Sequence, residues 1–430
     1  MKTTVSIVTL GCKTNQFESA AMIEKLQQAG YRQVSFEAGA DLVIVNTCTV
    51  TAATDAQSRK LIRRARRFNS NTRIVVTGCY AQIDPHSLKQ MPGVSLVVGN
   101  NEKGQLLDYL VANNDTGQIQ VSDIRASSVI EPLVLTGFEQ RSRAFVQIQN
   151  GCDAFCSYCI IPYARGRSRS VPVAAVISQI ERLCANGYPE IVLTGIHIGR
   201  YGQDFVPCTD LLTLLQKIEK SDFSGRLRLG SIEPTELSEE LSHYIAQADW
   251  ICPHFHIPLQ AGDDEILRRM NRHYTTTFFA DLLDRLRQIK PDAAIGLDVI
   301  TGFPGETDVQ FQATCQLLRQ LPFSHLHVFP YSKRAGTLAA EMPDQVPGDV
   351  MKARAAQLRQ IGREKNRNFA QQFVGSELEI VIEGGEDDDL RKGLSRNYLP
   401  VWVPATSVEP GELLKVRVSG MHKDGLLGSP

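Results

Sequence analysis

Three cysteines fall within eight residues of the stretch "GCDAFCSYCIIPYARGRSRS" (151–170): Cys152, Cys156 and Cys159. A disulfide consumes two thiols, and a closed structural zinc site takes four ligands. Three thiolates suit a metal centre that keeps one position open. Cysteine thiolates are the usual ligands of [4Fe–4S] clusters, and three of them leave one iron free for a small-molecule ligand. The competing reading is a zinc knuckle whose fourth ligand lies far along the chain.

A second trio is dispersed: Cys12 in "TLGCKTNQFES", Cys48 in "VNTCTVTAAT" and Cys79 in "VTGCYAQ". Each stands just past the end of a predicted parallel strand. Strand ends of one parallel sheet share an edge, so these thiols can converge although they are far apart in sequence. Two of the three follow a glycine. The plainer reading is three small buried hydrophobes, as free cysteine often is.

The elements that must position both trios are legible from hydrophobic periodicity. "VSIVTL" (5–10), "LVIVNT" (42–47), "RIVVTG" (73–78) and "SLVVG" (95–99) are β-branched runs of the kind that form buried parallel strands. Between the first two, Met22, Ile23, Leu26 and Ala29 share one helical face that stops at Gly30. Residues 1–111 therefore predict a small parallel α/β domain. Residues 112–143 are polar and broken, and predict a linker with a short hairpin. From 144 to 345 six strand candidates (145–149, 190–195, 226–230, 254–258, 294–300 and 325–329) alternate with helix candidates near 173–186, 209–220, 236–248, 275–289 and 308–320. Six β/α units of this kind make a parallel barrel or an open part of one, with chemistry at the C-terminal strand ends. The first cysteine loop follows the first of these strands. A connecting helix occupies 346–372. The segment 373–430 changes to short alternating strands split by Gly and Pro, which predicts a small OB-like β-barrel or a sandwich. The fold class is α/β with this terminal β domain.

The 430 residues carry 46 basic and 47 acidic side chains, so global charge announces no polyanionic partner and any basic surface must be local. The apolar run at the N-terminus is too short for a signal peptide, and no stretch approaches the ~20 apolar residues of a membrane helix. The expectation is a cytoplasmic protein. In a reducing compartment ten cysteines favour metal or catalytic use over disulfides.

Cys152-x3-Cys156-x2-Cys159, with Tyr158 before the last cysteine, resembles the signature of radical S-adenosylmethionine (SAM) enzymes. Paired with the N-terminal trio, it resembles the methylthiotransferase family within that superfamily. Further stretches carry the likeness over nearly the whole chain: "LTGIHIGRYG" (193–202), "GSIEP" (230–234), "HIPLQAGDDEILRRMNRHYT" (256–275), "GLDVITGFPGET" (296–307) and "GLSRNYLPVWVP" (393–404), the last in a TRAM-like barrel. The resemblance implies a partial (β/α)6 barrel and two [4Fe–4S] clusters. Cys152, Cys156 and Cys159 would ligate the cluster that cleaves SAM to a 5′-deoxyadenosyl radical. Cys12, Cys48 and Cys79 would ligate an auxiliary cluster that carries or transfers sulfur. It also implies an electron donor such as flavodoxin or ferredoxin. Thr194 and Gly195 end the second barrel strand, where enzymes of this type contact the methionyl amine. Glu233 and Asp298 end later strands and could meet ribose or substrate. For each of these four, a polar residue capping a loop is the alternative. Gly302, Pro304 and Gly305 predict a tight turn. Tyr158 is expected to pack against the cluster loop, and Cys184, Cys208, Cys252 and Cys315 are expected to be packing residues.

The family divides between adenosine 37 of tRNA, in an anticodon loop, and an aspartate of a ribosomal protein. "RKLIRRARR" (59–67) packs six basic residues into nine, on a predicted helix after Cys48. Arg63, Arg64, Arg66 and Arg67 are candidate phosphate contacts, against the reading of a solvated face. Arg165, Arg167 and Arg169 add charge at the radical loop. The terminal barrel is acidic on balance, with an acidic run at 386–389, which would suit a basic protein target. "GCKTNQFES" and "HVFPYSKRAGT" (327–337) resemble the branch acting on N6-threonylcarbamoyladenosine, and the expected reaction is 2-methylthiolation of that nucleoside in tRNA. N6-isopentenyladenosine 37 and the ribosomal aspartate are the alternatives within the family. A non-enzymatic iron–sulfur protein and a radical SAM enzyme without sulfur insertion are the alternatives outside it.

Overall fold

The β-branched runs of the first hundred residues form one parallel sheet. The computed structural model describes residues 3–112, 118–138, 141–387 and 389–430. Parts of the expected linker (113–117, 139 and 140) and Asp388 of the acidic run lie outside them. Strands β1 (Thr4–Thr9), β2 (Arg32–Gln33), β3 (Leu42–Thr47), β4 (Arg73–Gly78), β5 (Val94–Val98) and β6 (Gln118–Gln120) lie in the order β2-β1-β3-β4-β5-β6. Successive side chains of a strand face opposite sides. Leu42, Ile44 and Val75 accordingly pack with Met22 and Leu26 of the helix Lys13–Gln28 on one face. Val43, Val45, Ile74 and Val76 pack with Ile62 and Ala65 of the helix Ala52–Phe68 on the other. The linker reading misses β6. Instead of a hairpin among the described residues, "QIQ" adds to the open edge of β5, with Leu96 opposite Gln118.

Downstream, β7 (Ala144–Gln147) is followed by a small antiparallel pair, β8 (Gln149–Asn150) and β9 (Arg169–Ser170), that closes the base of the cysteine loop. Strands β10 (Glu190–Thr194), β11 (Arg226–Leu229), β12 (His254–Gln260), β13 (Ala294–Thr301) and β14 (His325–Pro330) complete the barrel strands. They pair in parallel as β11-β10-β7 and β12-β13-β14. Bridges from Leu227 to Ile251 and from Ser231 to His256 join the halves into a six-stranded partial barrel. The helix Gly348–Gln371 leads out of it. Strands β15 (Glu377–Asp387), β16 (Leu390–Ser395), β17 (Pro400–Pro404), β18 (Leu413–His422) and β19 (Gly425–Ser429) close into a separate barrel. Ile380, Ile382, Val401, Val403, Val416 and Val418 fill its interior.

A buried clasp fastens this terminal barrel to the central one. Arg226 and Arg228 of β11 donate to the carbonyls of Leu394 (2.7 Å), Ser395 (3.1 Å) and Arg396 (2.8 Å). Both guanidinium groups are held by Glu190, at 2.7 and 2.8 Å. Burial opposes the Glu190 charge, but Arg228 and then Arg226 hold its carboxyl well below the usual range. Glu190→Gln would leave two buried guanidinium ions short of a counter-charge, and we expect a loss of ~3–5 kcal/mol in chemical denaturation at neutral pH. Because the folded pKa is depressed, the pair's contribution is full above the unfolded carboxyl value of ~4.3 and fades as pH falls below it, so the wild-type advantage should shrink in acid.

Candidate functional site

The three N-terminal thiols meet at one sheet edge. Cys12 caps the helix after β1, Cys48 follows β3 and Cys79 opens the helix after β4, and these three strands are adjacent. Glycine is required at two of these junctions by close approach. A Cβ on Gly11 (φ +93°) would lie 2.7 Å from Cys48 Cβ, and one on Gly78 (φ +96°) would lie 2.3 Å from the Thr47 carbonyl. Burial first, and then the neighbouring Cys79 and Cys12, push the Cys48 thiol up to about 11. Such a thiol keeps its proton at neutral pH until a metal displaces it.

The second trio lies on the loop after β8, at the C-terminal end of the barrel. Asn271 donates to the carbonyls of Ala154 and Phe155 (both 3.1 Å), and the Ser157 amide donates to Met270 O (3.0 Å). Two charged side chains face its sulfurs. His197 Nδ1 is 3.3 Å from Cys152 Sγ, and its Nε2 is 2.8 Å from Glu236. Burial opposes the imidazolium, but hydrogen bonds to Cys152 and Glu236 raise it to about 10. Arg272 Nη1 donates to Cys156 Sγ at 3.3 Å, and the same guanidinium pairs with Glu233. Cys159 is pushed far above the ordinary thiol range, first by burial and then by Cys156. Tyr158 packs not against its own loop but against the hydrophobic cluster that holds Ile266 and Phe303.

All ten cysteines are free. Neither trio brings its three sulfurs within 4.8 Å of one another. Thiolates ~2.3 Å from a single zinc ion would sit ~3.8 Å apart. The observed spacing is too wide for three thiolates on a single zinc ion.

The basic residues of the radical loop are not where a phosphate contact would be. Arg165 is 0 % exposed, Arg169 is also buried, and only Arg167 reaches solvent. Arg165 donates to Glu18 (2.7 Å) and to Asn150 (2.9 Å), and it also bonds Asn15. Glu18 in turn pairs with Lys103. Asn15 donates to the carbonyls of Leu10 (2.7 Å) and Thr47 (3.0 Å), beside Cys12 and Cys48. Asn100 bridges Cys79 Sγ (4.0 Å) and the Ala164 carbonyl (2.6 Å). One buried polar node thus ties the two cysteine trios together.

Thr194 is buried at the end of β10, where its carbonyl accepts from the Ile148 amide (2.9 Å) and Gly195 lies against Gln149. Glu233 stands behind Arg272, and Asp298 is taken by His256 (2.9 Å) and His327 (3.1 Å). The turn at 302–305 forms, with the Gly302 amide donating to Glu306 at 2.7 Å. Cys252 and Cys315 are buried and Cys184 half-buried, but Cys208, expected to pack, is exposed. Arg63, Arg64, Arg66 and Arg67 are exposed on the helix Ala52–Phe68, with Arg64 paired to Glu37 at 3.2 Å. At 1.5 Å per residue the helix carries Arg63 ~17 Å from its start beside the cysteine edge, so the basic run does not adjoin that trio. The stretch "HVFPYSKRAGT" latches the domains, since Arg334 reaches Thr49 and Asp55 at 2.6 Å each. His197 and Arg272 went unread in the sequence. They lie inside "LTGIHIGRYG" and "MNRHYT", yet nothing in the spacing points them at a cysteine.

Residues 4–99 match a family described as "Uncharacterized protein family UPF0004", and residues 146–318 match the radical SAM superfamily. A threonylcarbamoyladenosine tRNA methylthiotransferase, MtaB, of Bacillus subtilis (strain 168) is 40 % identical over 96 % of this chain and 93 % of the relative. The chain belongs to the radical SAM methylthiotransferase family. It works with an iron–sulfur cluster and S-adenosylmethionine. An MtaB of Thermotoga maritima is 36 % identical over 99 % of this chain and 96 % of the relative. A tRNA-2-methylthio-N(6)-dimethylallyladenosine synthase of Desulfotalea psychrophila is 33 % identical over 98 % of each. A solved radical SAM methyltransferase, TsrM from Kitasatospora setae, shares the fold of this methylthiotransferase at TM-score 0.58 and 18 % identity, over 79 % of this chain and 77 % of that one. No helix among the described residues is long and apolar enough to cross a membrane.

Proposed function

We propose that this methylthiotransferase adds a methylthio group to C2 of N6-threonylcarbamoyladenosine 37 in tRNA. The observation that carries the reading is the pair of free cysteine trios, one at each domain's strand ends, joined through Arg165 in a chain whose full-length relatives are named for this reaction. Cys152, Cys156 and Cys159 would hold the cluster that binds SAM, and Cys12, Cys48 and Cys79 a second [4Fe–4S] cluster. When bound, these groups supply the one-electron chemistry and the sulfur that an aromatic C–H requires and that acid–base side chains lack. The chain's own part is placement: His197 and Arg272 hold the Cys152 and Cys156 sulfurs. Thr194, Gly195 and Glu233 line strand ends where SAM and the nucleoside would lie, whereas Asp298, expected there too, stands midway along β13 and is held by His256 and His327. The working units are 1–111, the linker 112–143, the barrel 144–345, the helix 346–372 and the terminal barrel 373–430. The partners are a tRNA anticodon loop, whose base can be unstacked and read on its edges, and a flavodoxin- or ferredoxin-type electron donor in the cytoplasm.

The second reading is N6-isopentenyladenosine 37, favoured by the dimethylallyladenosine synthase among the full-length relatives. The test offers anaerobic, reduced enzyme three substrates: tRNA with threonylcarbamoyl at adenosine 37, tRNA with isopentenyl there, and the ribosomal protein. Methylthiolated product on the first alone is expected. Product only on the second or only on the third would overturn the proposal.

The basic helix gives a graded check. Replacing Arg63, Arg64, Arg66 and Arg67 with glutamine should lower the magnitude of the salt slope of tRNA binding by ~0.7–0.9 for each real phosphate contact. An unchanged slope would return the helix to a solvated face.

A further inference from the structure

At the N-terminal ends of the barrel strands, opposite to the cysteine loop, four histidines gather. His254 and His256 alternate along β12, and His325 and His327 along β14, with Asp298 of β13 between the two strands. Ring nitrogens of His254, His256 and His325 all lie within 4.8 Å of one another. Tyr398 of the terminal barrel stacks on His254 (centroids 4.5 Å apart) and on His325 (5.5 Å).

Hydrogen-bond accounting leaves His254 and His325 each with a bare lone pair. The Ser324 hydroxyl donates to the Ile295 carbonyl (3.0 Å), so the 3.2 Å contact to His325 needs a proton on His325 Nδ1, leaving Nε2 basic and without a partner. Asp298 can only accept, so His256 Nε2 donates to it. His254 is 4 % exposed and neither of its nitrogens has a partner, so either tautomer presents a free lone pair. Burial, and then cationic neighbours, hold His254 well below its usual range, and burial lowers His325 to about 3. All this is the protonation state of a metal ligand. Orphaned buried acceptors are destabilising unless something fills them. Solvent does not reach these His254 and His325 nitrogens, which excludes a carboxylate or a base at them but not a bare ion. Asp298 behind His256 is the carboxylate–histidine arrangement that orients metal ligands. Nearby Arg228 opposes a cation, but Glu190 neutralises it at 2.8 Å. Lys13 also opposes one.

We propose that His254, His256 and His325 bind one borderline divalent ion of the zinc class, which pins β12 to β14 beneath the terminal barrel and is separate from both cysteine trios. Imidazole donors suit zinc, copper and nickel over magnesium or calcium. The test loads cluster-reconstituted full-length protein with zinc, desalts it, and measures zinc and iron by elemental analysis. About one zinc per chain is expected, falling to near zero in His254→Ala/His325→Ala with iron unchanged. Zinc X-ray absorption of the unaltered protein, which depends on no variant, should show nitrogen and oxygen scatterers alone. Failure to retain zinc, retention by the double variant, or a sulfur shell at the zinc would each overturn the site. None of these readings depends on which nucleoside is the substrate.

Discussion

Alanine at Cys12, Cys48 or Cys79 should leave reductive cleavage of S-adenosylmethionine near its native rate and abolish the methylthio product. The physical reason is the separation of the two donor sets. Cleavage needs only the loop after β8, with His197 and Arg272 at its sulfurs. The N-terminal trio sits at the edge of a different sheet, on glycine-tight junctions that an alanine at the cysteine leaves intact. Losing a ligand should cost more than the 10–100-fold that outer partners of a metal site typically cost. The measurement is paired: 5′-deoxyadenosine by chromatography and methylthiolated nucleoside by mass spectrometry, from one reaction. A Cys48→Ala enzyme that still made methylthiolated nucleoside would overturn the sulfur-transfer role of this trio.

The second large effect is on iron. Two trios predict about eight irons per chain after anaerobic reconstitution, and Cys152, Cys156 and Cys159 changed together to alanine should leave about four. The remaining four should report a cluster in the N-terminal domain alone. A triple variant with the full complement would mean that the loop after β8 holds no iron. Wild-type protein with only four would mean that one trio holds no cluster.

Much of this arrangement was legible because it depends on strict periods. The alternation that puts Val43 and Val45 on one face and Leu42 and Ile44 on the other is visible in the sequence, and it fixes where the strands end and hence where Cys12, Cys48 and Cys79 meet. The three-residue strand β6 was not legible, because "QIQ" has no apolar run and is held by the edge it finds. Charge misled most. Arg165 and Arg169 read as outward basic residues, because a sequence shows a guanidinium but not the carboxylate or carbonyl, often far along the chain, that lets it be buried. The partner of Arg165, Glu18, lies 147 residues away. The histidines were passed over as strand residues, although His-x-His in two strands at period two places each pair on one face.

The Arg165 node bears on how material moves during turnover. A hinge between the N-terminal domain and the barrel would part Glu18 from Arg165 and leave Glu18 with Lys103 alone. The Arg334–Asp55 latch would have to open in the same motion. Both contacts resist relative movement of the two cysteine trios. On the proposed function, the small molecules and the tRNA base would be brought to the trios rather than the trios to them.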